Sequence, residues 1–377
     1  MSIAKQHPGL NFPKRLSRRS FLKLSALAMG GSVVALGNRG RVKPQYALPV
    51  FPQSERLARV CVGKVDLKLK PDENANTVGT LFEDAVLPWV HETIGPWAFR
   101  NNQRWVETPQ GYIWSTYVQP TRNILNQPLK VLPKAGEKAG MWVEVTVPWV
   151  DAVLANPPAR SHWIKSRQEH GLPPRLYYSQ ILWIDDLKVN DAGQVLYRVN
   201  ERYGNPGDIF WVPADVFRPI TAEEITPISP DITDKRIVVN INWRTQTLSA
   251  FEGQSEVFFC RVSSGVSEGA TPLTPRVSPG FPIWRKLTSL HMAGGTNTGG
   301  WDLIGIAWTQ LFVGEGVALH STYWHNNFGE PMSHGCINLR PEDAKWLFRW
   351  SQPVVPSEPG DLTITGDGST RVIVKDE

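Results

Sequence analysis

Hydrophobic and polar positions alternate in short runs along most of the chain, a pattern typical of half-buried β-strands. Turn signals separate these runs, for example Lys70-Pro71-Asp72 and Pro109-Gln110-Gly111. Between residues 56 and 121 the pattern predicts strands at 57–62, 77–81, 85–90, 104–108 and 111–115. Strands spaced this tightly predict a small β-barrel.

The residues that run from Lys-Leu-Lys-Pro-Asp to Gly-Tyr-Ile-Trp in this segment resemble a bacterial SH3-like domain.

The next segment, residues 122–228, shows a weaker version of the same pattern. Residues 207–214 are similar to residues 111–116, so we predict a possible second, diverged SH3-like domain. Residues 156–175 break the alternation and predict an insertion of loop or helical character. Upstream of both segments, the proline-punctuated residues 44–55 are predicted to be a linker.

The third segment, residues 229–377, alternates again and contains the clearest helix signal of the chain. Strands are predicted at 235–242, 247–251, 256–263, 361–364 and 370–375. The helix begins at Pro341-Glu342-Asp343 and has an apolar stripe at Ala344, Leu347 and Phe348. The predicted fold is therefore mainly β, with small barrel domains followed by a β-rich domain that has one or two short helices.

The N-terminus reads as an export signal. Residues 1–43 hold nine Lys or Arg and no acid, and residues 17–23 (Ser-Arg-Arg-Ser-Phe-Leu-Lys) resemble a twin-arginine motif. Residues 24–37 follow without a charge, which is too short for a typical membrane span. A retained membrane anchor is the alternative. We predict a protein that acts outside the cytoplasm, in the periplasm or at the cell wall, with no stable membrane span after signal removal.

Charge and cysteine content indicate which partners and which cysteine states to expect. Beyond residue 43 the chain carries 31 bases and 35 acids, a net charge of −4, so no nucleic-acid partner is predicted. Of the three cysteines, at least one must be unpaired within a monomer. Cys61 and Cys260 are interpreted as small buried hydrophobic residues, with a disulfide between them as the alternative.

The candidate chemistry is concentrated in one short stretch. His320 follows an apolar run, and Ser333-His334-Gly335-Cys336 precedes the predicted helix. An imidazole can take the proton of a thiol and so activate it as a nucleophile. Gly335 allows a tight turn, where backbone N–H groups can face an oxyanion. His320 is favoured as the base, because His334 is too close to Cys336 in sequence to pair well with it. A zinc site of these two histidines and Cys336 is the rival interpretation, although the spacing fits no common zinc pattern.

At these residues the sequence resembles the L,D-transpeptidase catalytic domain, also called the YkuD domain, over about residues 234–375. The resemblance implies that Cys336 attacks a peptidoglycan tetrapeptide stem, releases D-alanine and passes the acyl group to the amine of a neighbouring stem in a 3→3 cross-link. His320 would act as base, oriented by a backbone carbonyl of Ser321 or Ser333. The amides of Gly335 and Cys336 would form the oxyanion hole. Donor and acceptor stem peptides are the implied partners, carbapenem-type β-lactams the implied inhibitors, and no cofactor or metal is implied.

Substrate recognition is less clearly indicated. Many members of that family have Arg two positions after the cysteine, where this chain has Asn338, so Arg340 is a further candidate for anion binding. The other predicted substrate-binding residues are His334, Tyr323 and Met292. Residues 289–301 are glycine-rich and predict a flap near the site. Hydrolysis of the same thioester, by a carboxypeptidase or endopeptidase, and a catalytically idle wall-binding protein are the alternative functions.

Overall fold

Strands make up most of the secondary structure in a computed structural model of the chain. The structure describes residues 46–96, 101–136, 138–204, 207–294, 301–314 and 316–377. The predicted export signal and residues 295–300 of the predicted flap lie outside these ranges. Within them there are two α-helices, α1 (His162–Glu169) and α2 (Pro341–Trp350), so the prediction of a mainly β fold with short helices is confirmed.

The first segment forms two sheets around one apolar core. Its strands are β1 (Leu57–Val60), β2 (Lys64–Lys68), β3 (Thr77–Phe82), β4 (Val86–Pro88), β5 (His91–Ile94), β6 (Arg104–Thr108), β7 (Gly111–Trp114) and β8 (Val118–Thr121). The sheet orders are β4-β1-β8 and β3-β2-β7-β6-β5. Val60, Val106 and Ile113 are fully buried between the sheets. The five predicted strands are all present, whereas β2, β5 and β8 were missed because each offers few apolar positions.

The second segment contains a larger sheet and α1. Its strands are β9 (Lys134–Ala135), β10 (Lys138–Ala139), β11 (Met141–Val145), β12 (Trp149–Asp151), β13 (Val153–Leu154), β14 (Arg175–Tyr177), β15 (Ile181–Val189), β16 (Val195–Val199), β17 (Phe210–Pro213) and β18 (Phe217–Pro219). The six-stranded sheet has the order β13-β17-β16-β15-β11-β18. Helix α1 lies inside the predicted insertion, and its first turn is capped by Ser161, whose Oγ accepts the N–H of Ile164 at 3.3 Å.

The two segments end in the same way, as the similarity of their sequences suggested. In each, a strand runs into a single 3₁₀ turn, at Ser115–Tyr117 and Ala214–Val216, and a last strand follows. That last strand pairs antiparallel with the first long strand of its segment: β8 with β1, and β18 with β11. The shared plan is consistent with a duplicated module, and the SH3-like assignment of both segments stays a prediction.

The third segment has two five-stranded sheets and α2. Its strands are β19 (Lys235–Asn240), β20 (Thr247–Glu252), β21 (Ser255–Arg261), β22 (Phe281–Pro282), β23 (Arg285–Gly294), β24 (Trp301–Val313), β25 (Val317–Ser321), β26 (Ile337–Leu339), β27 (Asp361–Thr363) and β28 (Arg371–Lys375). The sheet orders are β21-β20-β19-β28-β22 and β26-β25-β24-β23-β27. Pro341 at the first helical position and Ala344, Leu347 and Phe348 on the buried face explain why α2 forms there and packs inward.

The second and third segments share one hydrophobic core. Trp142 and Trp183 of the second segment pack in the same cluster as Leu248 and Leu347 of the third. The described part of the predicted linker is packed as well, since the ring of Phe51 is buried and meets Trp149 edge-on at 5.3 Å. A cut at residue 228 would therefore expose apolar surface on both sides. No helix within the described ranges has the length and apolar run needed to cross a bilayer.

Candidate active site

Cys336 lies in a tight turn that leads into β26. The Ser333 hydroxyl spans this turn: its Oγ accepts the N–H of Gly335 at 3.0 Å and donates to the carbonyl of Cys336 at 2.6 Å. Gly335 has a φ of 149°, and a Cβ at this position would lie 2.7 Å from the carbonyl oxygen of Ala270. Only glycine fits without displacing the backbone, so the turn holds the thiol in one position.

The same hydrogen bond limits the predicted oxyanion hole. The N–H of Gly335 already donates to Ser333. Of the predicted pair of donors, the N–H of Cys336 therefore remains the candidate for an oxyanion. Ser333 shapes the turn through its side chain rather than through its carbonyl, which accepts the N–H of Val266 at 2.9 Å.

His320 is held in one tautomer on the neighbouring strand. β25 pairs in parallel with β26, which places His320 opposite Asn338. Nδ1 of His320 lies 2.8 Å from the carbonyl oxygen of Ser321, so Nδ1 carries the proton and donates it. Nε2 is then the nitrogen that can accept a proton. Between the two predicted orienting carbonyls, the geometry selects Ser321.

Cys336 and His320 line the same cavity, which has a volume of about 1190 Å³. That volume exceeds what a single small ligand needs. Four further predicted residues line it: Met292, Ser333, His334 and Asn338. The exposed His334 ring stacks on Trp301 at a centroid distance of 4.4 Å. Trp301 is the first residue of β24 and the last residue of the predicted flap.

Two predicted substrate-binding residues do not line this cavity. Tyr323 is buried away from the cavity, stacked on Tyr177 of the second segment at 5.7 Å. Its neighbour Trp324 lines the cavity instead. Arg340 points into a separate crevice beside α2, with its guanidinium 5.5 Å from the ring centroid of Phe328.

Burial keeps both reacting groups uncharged. It raises the pKa of the Cys336 thiol to about 11. A hydrogen bond with the Ala318 backbone lowers this pKa, but by less than burial raises it. Burial also lowers the pKa of the His320 imidazole to about 4, although the hydrogen bond to Ser321 favours protonation. Between these values the resting pair is a neutral thiol and a neutral imidazole. These pKa shifts favour a neutral resting pair, so the thiol proton must move when the thiol attacks.

The neutral resting state predicts a distinctive pH dependence of alkylation by iodoacetamide. The rate at Cys336 should climb beyond pH 10, and at pH 8 it should be about 10-fold below that of an ordinary free cysteine. At pH 8 a smaller fraction of Cys336 is thiolate than of an ordinary cysteine, which slows alkylation. The Cys336 thiolate is the more nucleophilic because it is more basic, but this gain in rate is smaller than the loss. Peptide mass spectrometry separates Cys336 from Cys61 and Cys260. A plateau already reached near neutral pH would show a preformed ion pair and contradict this prediction.

A second prediction concerns the turn. We expect Gly335→Ala to slow acylation of Cys336 by a carbapenem about 100-fold, because a displacement of the thiol by about 1 Å costs that much in rate. Gly193→Ala is the matched control: Gly193 also has a positive φ, of 77°, yet a Cβ there meets nothing within 4 Å. The control should lose about 1 kcal/mol of stability with its acylation rate retained. Equal losses of rate in both variants would argue against a specific steric role.

The polar groups around Asn338 explain why it is buried beside the cavity. Its Nδ2 lies 2.9 Å from Nε2 of His325, and Nδ1 of His325 accepts the N–H of Asn327 at 3.2 Å. Burial lowers the pKa of His325 to about 3, so this ring also stays neutral. His325 supports Asn338 from behind the cavity, and of the two only Asn338 lines it.

Several lining residues escaped the sequence analysis. Trp324 and Trp284 add aromatic surface, and Arg202, Tyr203 and Arg285 also line the cavity. The 16 tryptophans are spread along the whole chain, so their number carries no positional signal. Arg202 and Tyr203 come from the second segment, more than 100 positions before Cys336, and no motif links them to it.

The rival interpretations of the cysteines find no support in the geometry. All three cysteines are free, with Cys260 buried and Cys61 half-buried. Within the described ranges, no group of three or more His, Cys, Asp or Glu side chains is arranged to hold a metal ion.

Comparison with known proteins identifies the third segment. Residues 234–374 match the family model of the L,D-transpeptidase catalytic domain, YkuD. Among proteins with curated descriptions, none matches the chain.

Solved structures give weaker matches. A variant of the Enterococcus faecium L,D-transpeptidase is 22% identical over 38% of this chain and 50% of its own length, with a TM-score of 0.27, so this chain spans half of that relative. The Mycobacterium smegmatis L,D-transpeptidase is 17% identical over 68% of this chain and 100% of its own, with a TM-score of 0.29. The catalytic domain of the E. faecium enzyme acylated by ertapenem is 21% identical over 37% of this chain and 96% of its own, with a TM-score of 0.26. Likeness at this level carries no inference about activity. The family match rests on the C-terminal region alone: residues 234–374 resemble an L,D-transpeptidase catalytic domain of the YkuD family.

Proposed function

We propose that this protein is a cysteine L,D-transpeptidase that cross-links peptidoglycan stems. One observation carries the proposal: the Cys336 thiol and a His320 imidazole with its Nδ1 fixed by Ser321 line a single large cavity within a YkuD domain. A rigid nucleophile and an oriented base are the two components that thioester chemistry requires.

In the first half-reaction Cys336 attacks the carbonyl that joins the third residue of a tetrapeptide stem to its terminal D-alanine. The thiol proton passes to Nε2 of His320, and the sulfur forms a bond to carbon. The carbonyl electrons move to oxygen, which the N–H of Cys336 stabilises. When the oxyanion collapses, the bond to D-alanine breaks, and His320 returns the proton to the departing amine.

In the second half-reaction the side-chain amine of a neighbouring stem attacks the thioester. His320, neutral again, removes a proton from that amine, and the Cys336 sulfur leaves and is reprotonated. The product is a 3→3 cross-link, and the free enzyme is restored. Asn338, His334 and Met292 line the path of the substrate and are proposed to contact it.

The N-terminal part of the chain supports a location outside the cytoplasm. We propose that residues 1–43 direct export by the twin-arginine route, and that residues 56–228 form two SH3-like modules that bring the enzyme to wall peptides. Full-length protein with Cys336→Ala should then co-sediment with purified sacculi. A variant that stays in the supernatant would overturn the wall-binding part of the proposal.

Product analysis tests the central reaction. The mature protein is incubated with a stem tetrapeptide and an acceptor stem, and the products are separated by mass. Release of D-alanine with formation of a cross-linked dimer supports the transpeptidase. Release of D-alanine with free tripeptide alone would assign a carboxypeptidase, and the absence of D-alanine release would leave the idle wall-binding protein as the better account.

A further inference from the structure

The active-site cavity extends beyond the catalytic domain. One part of its lining, here called the arginine end, is formed by Arg202, Tyr203 and Gly204 of the second segment together with Trp284 and Arg285 of the third. Nothing in the proposed chemistry at Cys336 uses this end. It is nevertheless continuous with the nucleophile, because Tyr203, Trp284 and Cys336 all pack against one apolar cluster that contains Leu290 and Leu311.

The segment at residues 201–204 is fixed to the catalytic sheet. The N–H of His291 donates to the carbonyl of Tyr203 at 3.1 Å, and Gly204 forms a parallel bridge with His291. A Cβ on Gly204 would lie 2.0 Å from the carbonyl oxygen of His291, so this close approach requires glycine. Glu201 adds an ion pair to Nδ1 of His291 at 2.7 Å and accepts the N–H of Gly305 at 2.8 Å.

Two guanidinium groups stand at this end of the cavity in fixed orientations. Nη1 of Arg202 donates to both carboxylate oxygens of Glu358 at 2.9 Å. Nε and Nη2 of Arg285 donate to Asp361 at 2.9 and 2.8 Å. A guanidinium has five N–H donors, so each arginine keeps N–H groups beyond those in its ion pair. The acid partners hold the arginine side chains in place, and this reduces the entropic cost of binding a ligand.

The charges that face the cavity are all of one sign among the described residues. Arg202, Arg285 and His291 line it, whereas no Asp or Glu among those residues does. His291 is cationic because its hydrogen bonds to Asp302 and Glu201 outweigh the effect of burial and raise its pKa to about 10. The acids that balance these cations, Glu201 among them, stand behind the lining. A ligand in this end meets donors and cations over an apolar floor.

We propose that Arg202 and Arg285 form a carboxylate-binding subsite that selects stem peptides by their free carboxyl groups. The inference rests on the proposed function for the identity of the peptide, and it assigns the anion recognition that the sequence had suggested for Asn338 or Arg340. One arginine comes from each segment. The second segment is therefore part of the substrate site.

The test measures equilibrium binding of stem peptides to full-length protein carrying Cys336→Ala, so that no turnover is needed. The probes are a stem tetrapeptide with free carboxyl groups and matched forms in which one carboxyl at a time is a carboxamide. We expect one carboxamide form to bind about 10-fold more weakly, because a charge-assisted hydrogen bond is lost. Adding Arg202→Gln or Arg285→Gln should weaken binding of the free-carboxylate peptide by a similar factor. The carboxylate and carboxamide peptides should then bind equally.

A matched control separates recognition from folding. Arg198 also belongs to the second segment and pairs with Asp185 at 2.7 Å, with 34% side-chain exposure against 27% for Arg202, but it does not line the cavity. Arg198→Gln should keep the full preference for the carboxylate. A tripeptide that lacks D-alanine, with its own carboxamide forms, shows which stem the subsite binds. If the arginine variants lose the carboxylate preference for the tetrapeptide alone, the subsite binds the donor stem. If they lose it for both the tetrapeptide and the tripeptide, the subsite binds the acceptor stem.

The failures of the two proposals are distinguishable. A protein that forms the thioester yet binds carboxylate and carboxamide peptides equally would overturn this inference alone. Preference retained in both arginine variants would overturn it as well, and so would the absence of binding of any stem peptide. Conversely, an arginine-dependent preference in a protein that never releases D-alanine would retain the subsite and overturn the proposed reaction.

Discussion

Replacing Cys336 with alanine should reduce D-alanine release from a stem tetrapeptide to background, a loss on the order of 10⁶-fold. Cys336 carries the only thiol among the described residues that line the cavity. Of the other two cysteines, Cys260 is buried in the hydrophobic core beneath the sheets, and neither it nor Cys61 lines the cavity. The measurement is the initial rate of D-alanine release, followed together with the thermal midpoint of unfolding.

Cys61→Ala is the matched control, because Cys61 is a free, half-buried thiol outside the cavity. Cys61→Ala should retain the parent rate. Neither variant should have a lowered thermal midpoint of unfolding, since the Cys336 side chain lies in a site open to solvent on one side. D-alanine release by Cys336→Ala at more than about a thousandth of the parent rate would contradict the assignment of the nucleophile.

Replacing His320 with alanine should slow acylation of Cys336 by about 10³-fold. The resting thiol is neutral, with a pKa near 11, so acylation depends on a group that takes its proton as the bond to carbon forms. The measurement is the rate constant for the increase in protein mass with a carbapenem or a tetrapeptide. Because the loss comes from the missing base, raising the pH toward 10 should recover part of the rate in His320→Ala and little in the parent.

His334→Ala serves as the comparison. His334 is exposed and stacks on Trp301, and this contact contributes about 1 kcal/mol, so its removal should lower the acylation rate by no more than about 10-fold. If His334→Ala abolished acylation while His320→Ala kept the parent rate, the base would have to be reassigned to His334.

The local features of the fold and the site could be predicted from the sequence. The strands at 104–108 and 111–115 and the helix that begins at Pro341 follow from periodicity and capping, which act over a few residues. The turn at Gly335 was expected from the glycine alone, and the structure adds the reason, a carbonyl of Ala270 at the position of the missing Cβ. Tyr323 and Trp324 lie in a bend after β25, where no periodic pattern indicates that Trp324 rather than Tyr323 lines the cavity.

Long-range features could not be predicted, because they depend on how segments pack. The choice between the Ser321 and Ser333 carbonyls depends on which one faces Nδ1 of His320, and spacing does not encode this. The arginine at position 202 appears in the sequence as an ordinary surface charge. Its place in the cavity follows from the close contact between Gly204 and His291, two residues nearly 90 positions apart.

The shared core changes how the upstream segments are understood. Arg59 of the first segment is buried and donates through Nη2 to the carbonyl of Tyr323 at 2.6 Å, beside the Trp324 that lines the cavity. The second segment supplies Arg202 and Tyr203 to the cavity itself. Both segments therefore belong to the framework of the site, in addition to any role they have in binding the wall.

The most direct test of the central claim is the mass of the intact protein after brief incubation with a stem tetrapeptide. The account predicts a thioester adduct on the peptide that contains Cys336, with D-alanine lost, which an acceptor stem then removes as a cross-linked dimer. A protein whose mass never changes, under conditions where the tetrapeptide is shown to bind, would contradict the account.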